Sequence, residues 1–199
     1  MDKRREFFDE SAGTWNERLA GDGRAPKLPQ VVEWFGVREG ETILDVGTGT
    51  GILLPLLGHV IGSSGRLIAM DFSFNMLKKA MEGPCEARRA LLNAAAGAIP
   101  LKSEEVDRVT CFSAFPHFPD KEKALEEMAR VVKRGGMVFV AHLHSRAEIE
   151  KLHSRMGNVV GGDRLPEPEK MRHSMERAGL SDVEVVDEPG KFLAQGRKG

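Results

Sequence analysis

The stretch from Ile43 to Gly51 constrains the fold of this chain more than any other, and it reads Ile-Leu-Asp-Val-Gly-Thr-Gly-Thr-Gly. A short apolar run that contains one acid predicts a buried strand, and three glycines at alternate positions predict a sharp turn after it. Glycine tolerates positive φ and lets a ligand approach the backbone closely. The helix predicted to begin near Ile52 would present free N–H groups to that ligand. The stretch therefore predicts a nucleotide-binding turn between a strand and a helix.

The spacing of these glycines separates two kinds of cofactor site. The dinucleotide fingerprint G-x-G-x-x-G requires glycine at position 52, where the chain has Ile52, and the third glycine comes one residue early, at Gly51. A glycine-rich turn that binds no ligand remains an alternative at this point. The order acid-x-Gly-x-Gly-x-Gly, from Asp45 to Gly51, resembles the first motif of class I S-adenosylmethionine-dependent methyltransferases.

A second motif ends the next predicted strand, which runs from Arg66 to Met70 and is followed by Asp71. A carboxylate at the carboxyl end of this strand can accept hydrogen bonds from both hydroxyls of a ribose. The alternative role for Asp71 is to cap the helix predicted over Ser73 to Met81, although Ser73 can itself be that cap. The residues from Met70 to Leu77 also resemble the second motif of the same family, where residues after the acid line the adenine.

The chain departs from the family pattern after a weakly marked third strand near Ala87 to Leu92. In the family, the stretch corresponding to Asn93 to Leu101 commonly reads Gly-Asp-Ala-x-x-x-Leu-Pro-Phe, and its aspartate accepts from the adenine amino group. Ala95 stands at that position. Adenine would then be held by backbone groups and packing, or by Asn93 if the loop is displaced, and one lost hydrogen bond weakens cofactor binding by about 1 kcal/mol.

The resemblance is close over residues 40–145, and the flanks match only in the order of their elements. It implies methyl transfer from S-adenosylmethionine, with the end of the fourth strand, Val106 to Phe112, passing the methionine part of the cofactor. The cofactor-binding residues that the resemblance implies are Asp45, Gly47, Thr48, Gly49, Gly51, Asp71, Phe72, Met76, Ala95, Ala96, Phe112 and Ser113.

The order of elements predicts a doubly wound α/β fold with a mostly parallel, seven-stranded, Rossmann-like methyltransferase sheet. Strands alternate with helices up to residue 145. Asp120 is expected to cap a helix that runs to about Lys133, and the fifth strand is expected over Met137 to Ala141. A terminal hairpin, Val183 to Val186 and Lys191 to Ala194, would add the antiparallel strand at the edge.

We expect a single domain, because 199 residues can bury one sufficient core. Phe7, Phe8, Ala12, Trp15 and Leu19 predict an amphipathic helix near the N-terminus, with Gly13 as a candidate break. It resembles the family's lid over the cofactor, and the alternative is a helix that only covers the sheet edge. The expected parts of the domain are a helical cap (1–38), a cofactor-binding core (40–145), and substrate-side helices with the terminal hairpin (146–199).

Composition restricts the partners of the chain. The formal net charge is −1 and the Arg88-Arg89 pair carries no interleaved aromatic residues, so we expect no nucleic acid. No apolar run reaches the roughly 18 residues of a membrane span, and no signal sequence is evident. The sequence predicts a cytoplasmic enzyme with a small-molecule acceptor, and it leaves a homodimer open.

Several histidines are expected near the place where the methyl acceptor binds. His142 and His144 lie two residues apart at the end of the fifth strand, and His117 follows the fourth. We expect His117 and His142 to contact the substrate, where either could act as a general base. An alternative is a metal site formed by His142, His144 and His153, and a further one is that these are polar residues of a solvated cleft.

Two other functions stay open at this stage. A nicotinamide-dependent oxidoreductase shares the strand–turn–helix unit, although Ile52 disfavours it. A non-catalytic nucleoside- or metal-binding protein would account for Ala95 and the histidines. The sequence does not specify the methyl acceptor.

Overall fold

Seven strands form a single sheet in the computed structural model, which describes residues 3–16, 25–154 and 159–199. The strands are β1 (Thr42–Val46), β2 (Arg66–Asp71), β3 (Arg88–Asn93), β4 (Val106–Phe112), β5 (Val132–His142), β6 (Leu180–Glu188) and β7 (Lys191–Lys198). Their order across the sheet is β3-β2-β1-β4-β5-β7-β6. Strands β1 to β5 pair in parallel, and β7 pairs antiparallel to both β5 and β6. The predicted fold class and the terminal antiparallel hairpin are therefore confirmed.

Helices connect these strands. They are α1 (Lys3–Ser11), α2 (Leu28–Phe35), α3 (Leu54–Ile61), α4 (Phe74–Glu82), α5 (Lys121–Val131), α6 (Arg146–His153) and α7 (Pro168–Arg177), with short 3₁₀ turns at Ala25–Lys27 and Phe115–His117. Ser73 caps α4 and Asp120 caps α5 through their side chains, as the sequence predicts. No helix in the described ranges is both long and apolar enough to cross a membrane.

Strand β1 lies inside the sheet, between β2 and β4, and its apolar residues are buried on both faces. Ile43 packs with one core cluster and Leu44 with the other, and both side chains are fully buried. The strand order reverses between β1 and β4, and ligands of open α/β sheets bind beyond the strand ends at such a switch point. By contrast, β3 lies at the sheet edge and is only partly buried, which explains its weak sequence signal.

The boundary between α5 and β5 differs from the prediction. The helix ends at Val131 instead of near Lys133, and the strand begins at Val132 instead of Met137. Val132 pairs with Val106 before the register shifts, and Met137 then pairs with Arg108. The segment between them is a bulge in the strand. The pair Gly135-Gly136 in this bulge resembles the end of a helix in sequence, because glycine supplies the unusual backbone conformations of both bulges and helix ends.

The N-terminal helical segment is interrupted at residues 12–14, in agreement with the break predicted at Gly13. Helix α1 ends at Ser11 and a turn follows it, with Gly13 in the turn. Phe8 and Ala12 are buried against Met76 of α4, so this helix packs over the carboxyl ends of the strands. The prediction for Leu19 falls on residues 17–24, which lie outside the described residues.

Candidate functional site

The three glycines after β1 all have positive φ, but each meets a different environment. A Cβ on Gly47 would lie 2.4 Å from the Cβ of Ala114, so Gly47 allows the turn to contact the segment after β4. A Cβ on Gly51 would lie 2.8 Å from Leu54 and 2.9 Å from the Cβ of Ala80. A Cβ on Gly49 would meet nothing within 4 Å. Gly49 is therefore the glycine whose missing side chain leaves space for a ligand.

This difference gives a testable contrast in stability. Gly49→Ala and Gly51→Ala both place alanine at positive φ, which costs about 1–2 kcal/mol. Only the second also forces a methyl group into packed neighbours, so we expect its free energy of unfolding to be lower by a further 1–3 kcal/mol or so. Denaturant titration of the two variants measures the difference, and equal losses would contradict the packing role of Gly51.

Asp71 lies at the end of β2, directly beside the glycine turn, and its side chain is buried. Its Oδ2 accepts from the backbone N–H of Gly49 at 2.8 Å, and its Oδ1 accepts from that of Ser73 at 2.9 Å. Each oxygen keeps a further lone pair for a ligand hydroxyl. Burial raises the pKa of Asp71 to about 6, although these backbone hydrogen bonds lower it in part. The carboxylate is ionised at neutral pH and is held rigidly.

Asp45 is the second buried acid of the turn. Its Oδ1 accepts from the hydroxyl of Thr110 on the neighbouring strand at 2.8 Å. Burial raises the pKa of Asp45, and the nearby hydroxyls of Thr48 and Thr110 oppose that rise. Asp45 and Asp71 together give this end of the site a negative potential, which suits a ligand with hydroxyl groups or positive charge.

A cavity of about 690 Å³ joins this end to the predicted acceptor side. Its volume lies within the range of ligand pockets, about 300–1,000 Å³. The structure places these predicted site residues on its wall: Asp45, Gly47, Thr48, Gly49, Asp71, Phe72, Met76, Ala95, Ala96, Phe112, Ser113, His117 and His142. Gly51 is the exception, because it packs behind the turn against Leu54 and Ala80. Its assignment to the cofactor-binding residues stays a prediction, and its surroundings also give it a role in packing.

The loop after β3 has the apolar character that Ala95 suggests. Ala94, Ala95 and Ala96 all line the cavity and offer it no side-chain hydrogen bond. Asn93 is not part of the cavity wall, and its Nδ2 donates to the backbone carbonyl of Asp71 at 2.9 Å. Asn93 thus fixes the backbone next to Asp71 and does not replace the missing aspartate.

Ser113, directly after β4, has a left-handed backbone with φ of 55° and lies on the cavity wall. Its N–H donates to the carbonyl of Ala141 at 3.0 Å, which holds this conformation in place. A residue other than glycine seldom adopts this conformation, and such strain is concentrated at functional sites.

At the other end of the cavity, His117 contacts a buried carboxylate that the sequence analysis did not single out. The Nδ1 of His117 lies 2.8 Å from Oδ2 of Asp163. Arg4 of α1 binds the same carboxylate with both terminal nitrogens, at 2.5 Å and 2.6 Å. Burial raises the pKa of Asp163, but the hydrogen bonds from His117 and Arg4 outweigh it and hold the pKa at about 2.

The remaining histidines are distributed around the cavity instead of forming a metal site. His142 and His144 both line the cavity, as their spacing predicts, and His142 is buried near Phe192. His153 lies in a different cluster, where its Nδ1 donates to the carbonyl of Asp163 at 2.7 Å. Across the described parts of the chain, no three His, Cys, Asp or Glu side chains are arranged to hold a metal ion. The structure thus does not bring His142, His144 and His153 together as ligands.

Helix α1 is fixed across the cavity at the Asp71 end as well. Asp9 accepts from the hydroxyl of Ser73 at 2.5 Å and from the N–H of Asn75 at 3.1 Å. Arg4, Phe8 and Trp15 lie on the cavity wall. The cap thus contacts both ends of the site.

Asp9 and Asp163 carried no signal in the sequence. Each is a single acid without a motif, and its partners are distant along the chain: 64 residues separate Asp9 from Ser73, and 46 separate Asp163 from His117. Only the folded chain identifies them as part of the site.

Comparisons with known proteins agree with this fold. The sequence profile of the family described as "Methyltransferase domain" matches residues 44–140. A ubiquinone/menaquinone biosynthesis C-methyltransferase, UbiE of Enterobacter sp. (strain 638), is 30% identical, with 78% of this chain and 72% of that protein covered. The S-adenosylmethionine-dependent methyltransferase of Aquifex aeolicus is 27% identical, with a TM-score of 0.69 and coverage of 90% and 94% of the two chains.

A structure from Thermotoga maritima, described as a possible histamine N-methyltransferase, has a TM-score of 0.78 and covers 98% of this chain and all of that one. Its sequence identity is 19%, so it supports the fold alone.

The chain belongs to the class I S-adenosylmethionine-dependent methyltransferases. It is an enzyme that takes its methyl group from S-adenosylmethionine. A nicotinamide-dependent oxidoreductase is not favoured, in agreement with the spacing at Ile52.

Proposed function

We propose that this methyltransferase acts on a small molecule bound in the cavity between Ser113, His117 and helix α6. In this proposal the nucleoside of S-adenosylmethionine lies along the glycine turn, with its ribose hydroxyls donating to Asp71. The open space at Gly49 and the two buried acids fit a nucleoside that carries positive charge. The observation that carries the proposal is the continuous cavity that joins Asp71 to His117 under the cap.

S-adenosylmethionine supplies a methyl group on a sulfonium sulfur, so attack by an acceptor lone pair forms the new bond while the carbon–sulfur electron pair stays on sulfur. The protein has to orient the acceptor, exclude water and remove a proton. We assign the last task to His117. Asp163 is ionised and can only accept, so Nδ1 of His117 carries the hydrogen and Nε2 keeps the lone pair that takes the acceptor's proton. Burial lowers the pKa of His117, which favours the neutral ring, the form that can accept a proton.

The charged side chains on the cavity wall favour a methyl acceptor that is neutral or anionic. Asp45 and Asp71, both at the nucleoside end, are the only carboxylates among the described residues on the wall. The acceptor end combines imidazoles with apolar side chains, including Ile149 and Leu152 of α6. We therefore infer an apolar acceptor with an ionisable hydroxyl or carbon acid in place of an amine. The relatives named as ubiquinone/menaquinone biosynthesis C-methyltransferases make a hydroquinone-type ring the first acceptor to test.

Calorimetry with S-adenosylhomocysteine and NADH tests the cofactor assignment. We expect micromolar or tighter binding of the sulfur nucleoside and none of NADH, because a dinucleotide requires a different turn. Failure to bind S-adenosylhomocysteine would contradict the proposed site. Turnover is then measured with radiolabelled methyl donor on a hydroquinone and on an aromatic amine of similar size. Preference for the amine would overturn the inferred acceptor class, and so would binding of the sulfur nucleoside without turnover of the hydroquinone.

The cytoplasmic location, the division of the chain into cap, core and substrate-side parts, and the option of a homodimer remain predictions from the sequence.

A further inference from the structure

The carboxylate of Asp163 joins three separate parts of the fold. Arg4 comes from the cap helix α1, His117 from the 3₁₀ turn after β4, and Asp163 from the loop after α6. The side chain of Asp163 is 6% exposed and that of His117 is 14% exposed, so this contact is largely shielded from water. Because the surroundings contain little water, the charge of Asp163 and the protonation state of His117 are strongly coupled.

Arg4 contributes to this cluster in two ways. It forms a bidentate pair with Asp163, and its Nη1 also lies 3.3 Å from the backbone carbonyl of His117. Four residues along the same helix, the ring of Phe8 packs edge-on against the His117 ring, with 5.3 Å between centroids. Movement of α1 away from the cavity therefore removes the guanidinium from Asp163 and uncovers His117 at the same time.

The charge balance of the cluster depends on the position of α1. With Arg4 in place, the negative charge of Asp163 is neutralised by the guanidinium, and His117 can stay uncharged. With Arg4 withdrawn, the buried carboxylate has the imidazole as its nearest partner, and protonation of His117 becomes favourable. A protonated His117 cannot accept a proton from the substrate.

We propose that Arg4 and Asp163 are positioning residues that couple docking of the cap helix to the proton-accepting state of His117. This inference rests on the proposed role of His117 as the base. Asp163 fixes the tautomer of the ring, and Arg4 makes the neutral ring the stable form only while α1 covers the cavity. Proton removal is thereby restricted to the closed, water-excluded site.

The charged groups that face the His117–Asp163 pair are Arg4 on α1, His153 on α6 and Lys121 on α5. Burial lowers the pKa of His117 most, the hydrogen bond from Asp163 raises it, and the charges of His153 and Arg4 lower it. Removing Arg4 should therefore raise the pKa of His117, whereas removing the charge of Asp163 should lower it. A residue with only a structural role would not produce opposite shifts.

The test is a pH titration of the ¹⁵N-labelled full chain by long-range ¹H–¹⁵N correlation, with the His117 signals assigned from their loss in His117→Gln. We expect the wild-type ring to be the Nδ1–H tautomer. Arg4→Gln should raise the His117 pKa, and Arg4→Lys should restore it toward the wild-type value. Asp163→Asn should lower the pKa and mix the two tautomers. Arg5→Gln has the same charge change on the same helix without the contact to Asp163, and it should leave the titration unchanged.

Shifts in one direction for Arg4→Gln and Asp163→Asn, or an Nε2–H tautomer in the wild type, would overturn the proposal. If Asp163→Asn does not fold, the Arg4→Gln and Arg4→Lys pair still decides the result, because Arg4 is partly exposed. The titration requires neither methyl donor nor acceptor. Its outcome is thus independent of S-adenosylhomocysteine binding and turnover, which test the proposed function.

Discussion

Replacing Asp71 with alanine is expected to weaken the binding of S-adenosylhomocysteine by about a hundredfold or more, because two hydrogen bonds to a carboxylate contribute roughly 1.5–3 kcal/mol each. The side chain is buried beside the glycine turn and both of its oxygens are held by backbone N–H groups. Calorimetry on the variant measures the effect. An affinity within a few-fold of the wild type would show that the ribose does not bind here.

The pH dependence of binding gives a second measurement on the same group. Because the pKa of Asp71 is raised to about 6, the ionised form that accepts from the ribose is lost as the pH falls through that value. The affinity for S-adenosylhomocysteine should then fall by up to about tenfold for each pH unit below about 6. Asp71→Asn removes the titration, so its weaker binding should lose most of this pH dependence.

The raised pKa of Asp71 makes the stability of the unliganded protein depend on pH in the direction opposite to cofactor affinity. An acid whose folded pKa is above its unfolded value of 3.8 stabilises the fold in its protonated form. That contribution is fully present below the unfolded pKa and is lost as the pH rises through about 6. From Asp71 alone, we expect the unliganded chain to lose stability as the pH rises through about 6, which is the pH range in which its affinity for the cofactor increases. Denaturant titrations with and without S-adenosylhomocysteine separate the two effects.

The second large effect is expected for His117→Ala, which should reduce kcat by about 10²–10⁴ because a general base is removed. The affinity for S-adenosylhomocysteine should change little, since His117 lies at the acceptor end of the cavity. His59→Ala is a suitable control, because the His59 side chain is 75% exposed on α3 and contacts only the surface acid Glu86 in the described structure.

A drop in kcat of less than tenfold for His117→Ala would assign the base to another group, and His142 is the next candidate on the cavity wall. Equal losses in His117→Ala and His59→Ala would instead indicate a general loss of folded protein. The ratio of the two variants therefore distinguishes catalysis from stability.

The sequence by itself determined the sheet, and it predicted the end of the cavity to which we assign the nucleoside. The apolar run before Asp45, the glycine spacing and the acid after β2 are local patterns, and each depends on neighbours only a few residues away. The alternation of strands and helices then restricts the topology, because parallel strands need right-handed crossovers. The predictions that were weak or wrong also concerned local patterns. Strand β3 is a half-buried edge strand with a weak apolar pattern, and the glycine pair before Met137 forms a bulge instead of ending a helix.

Tertiary structure alone decided the acceptor end. His117 was a candidate from the sequence, but its orienting partner Asp163 lies 46 residues away, and Arg4 approaches that partner from the N-terminal helix. No periodicity or motif encodes such a contact, because the side chains meet only after α1 and the loop after α6 have packed over the strand ends. The packing also separated Gly49 from Gly51, which look equivalent in sequence: the first faces open space and the second faces Ala80. Local patterns specify where a nucleoside can bind, whereas the arrangement of distant side chains determines how a proton can be removed.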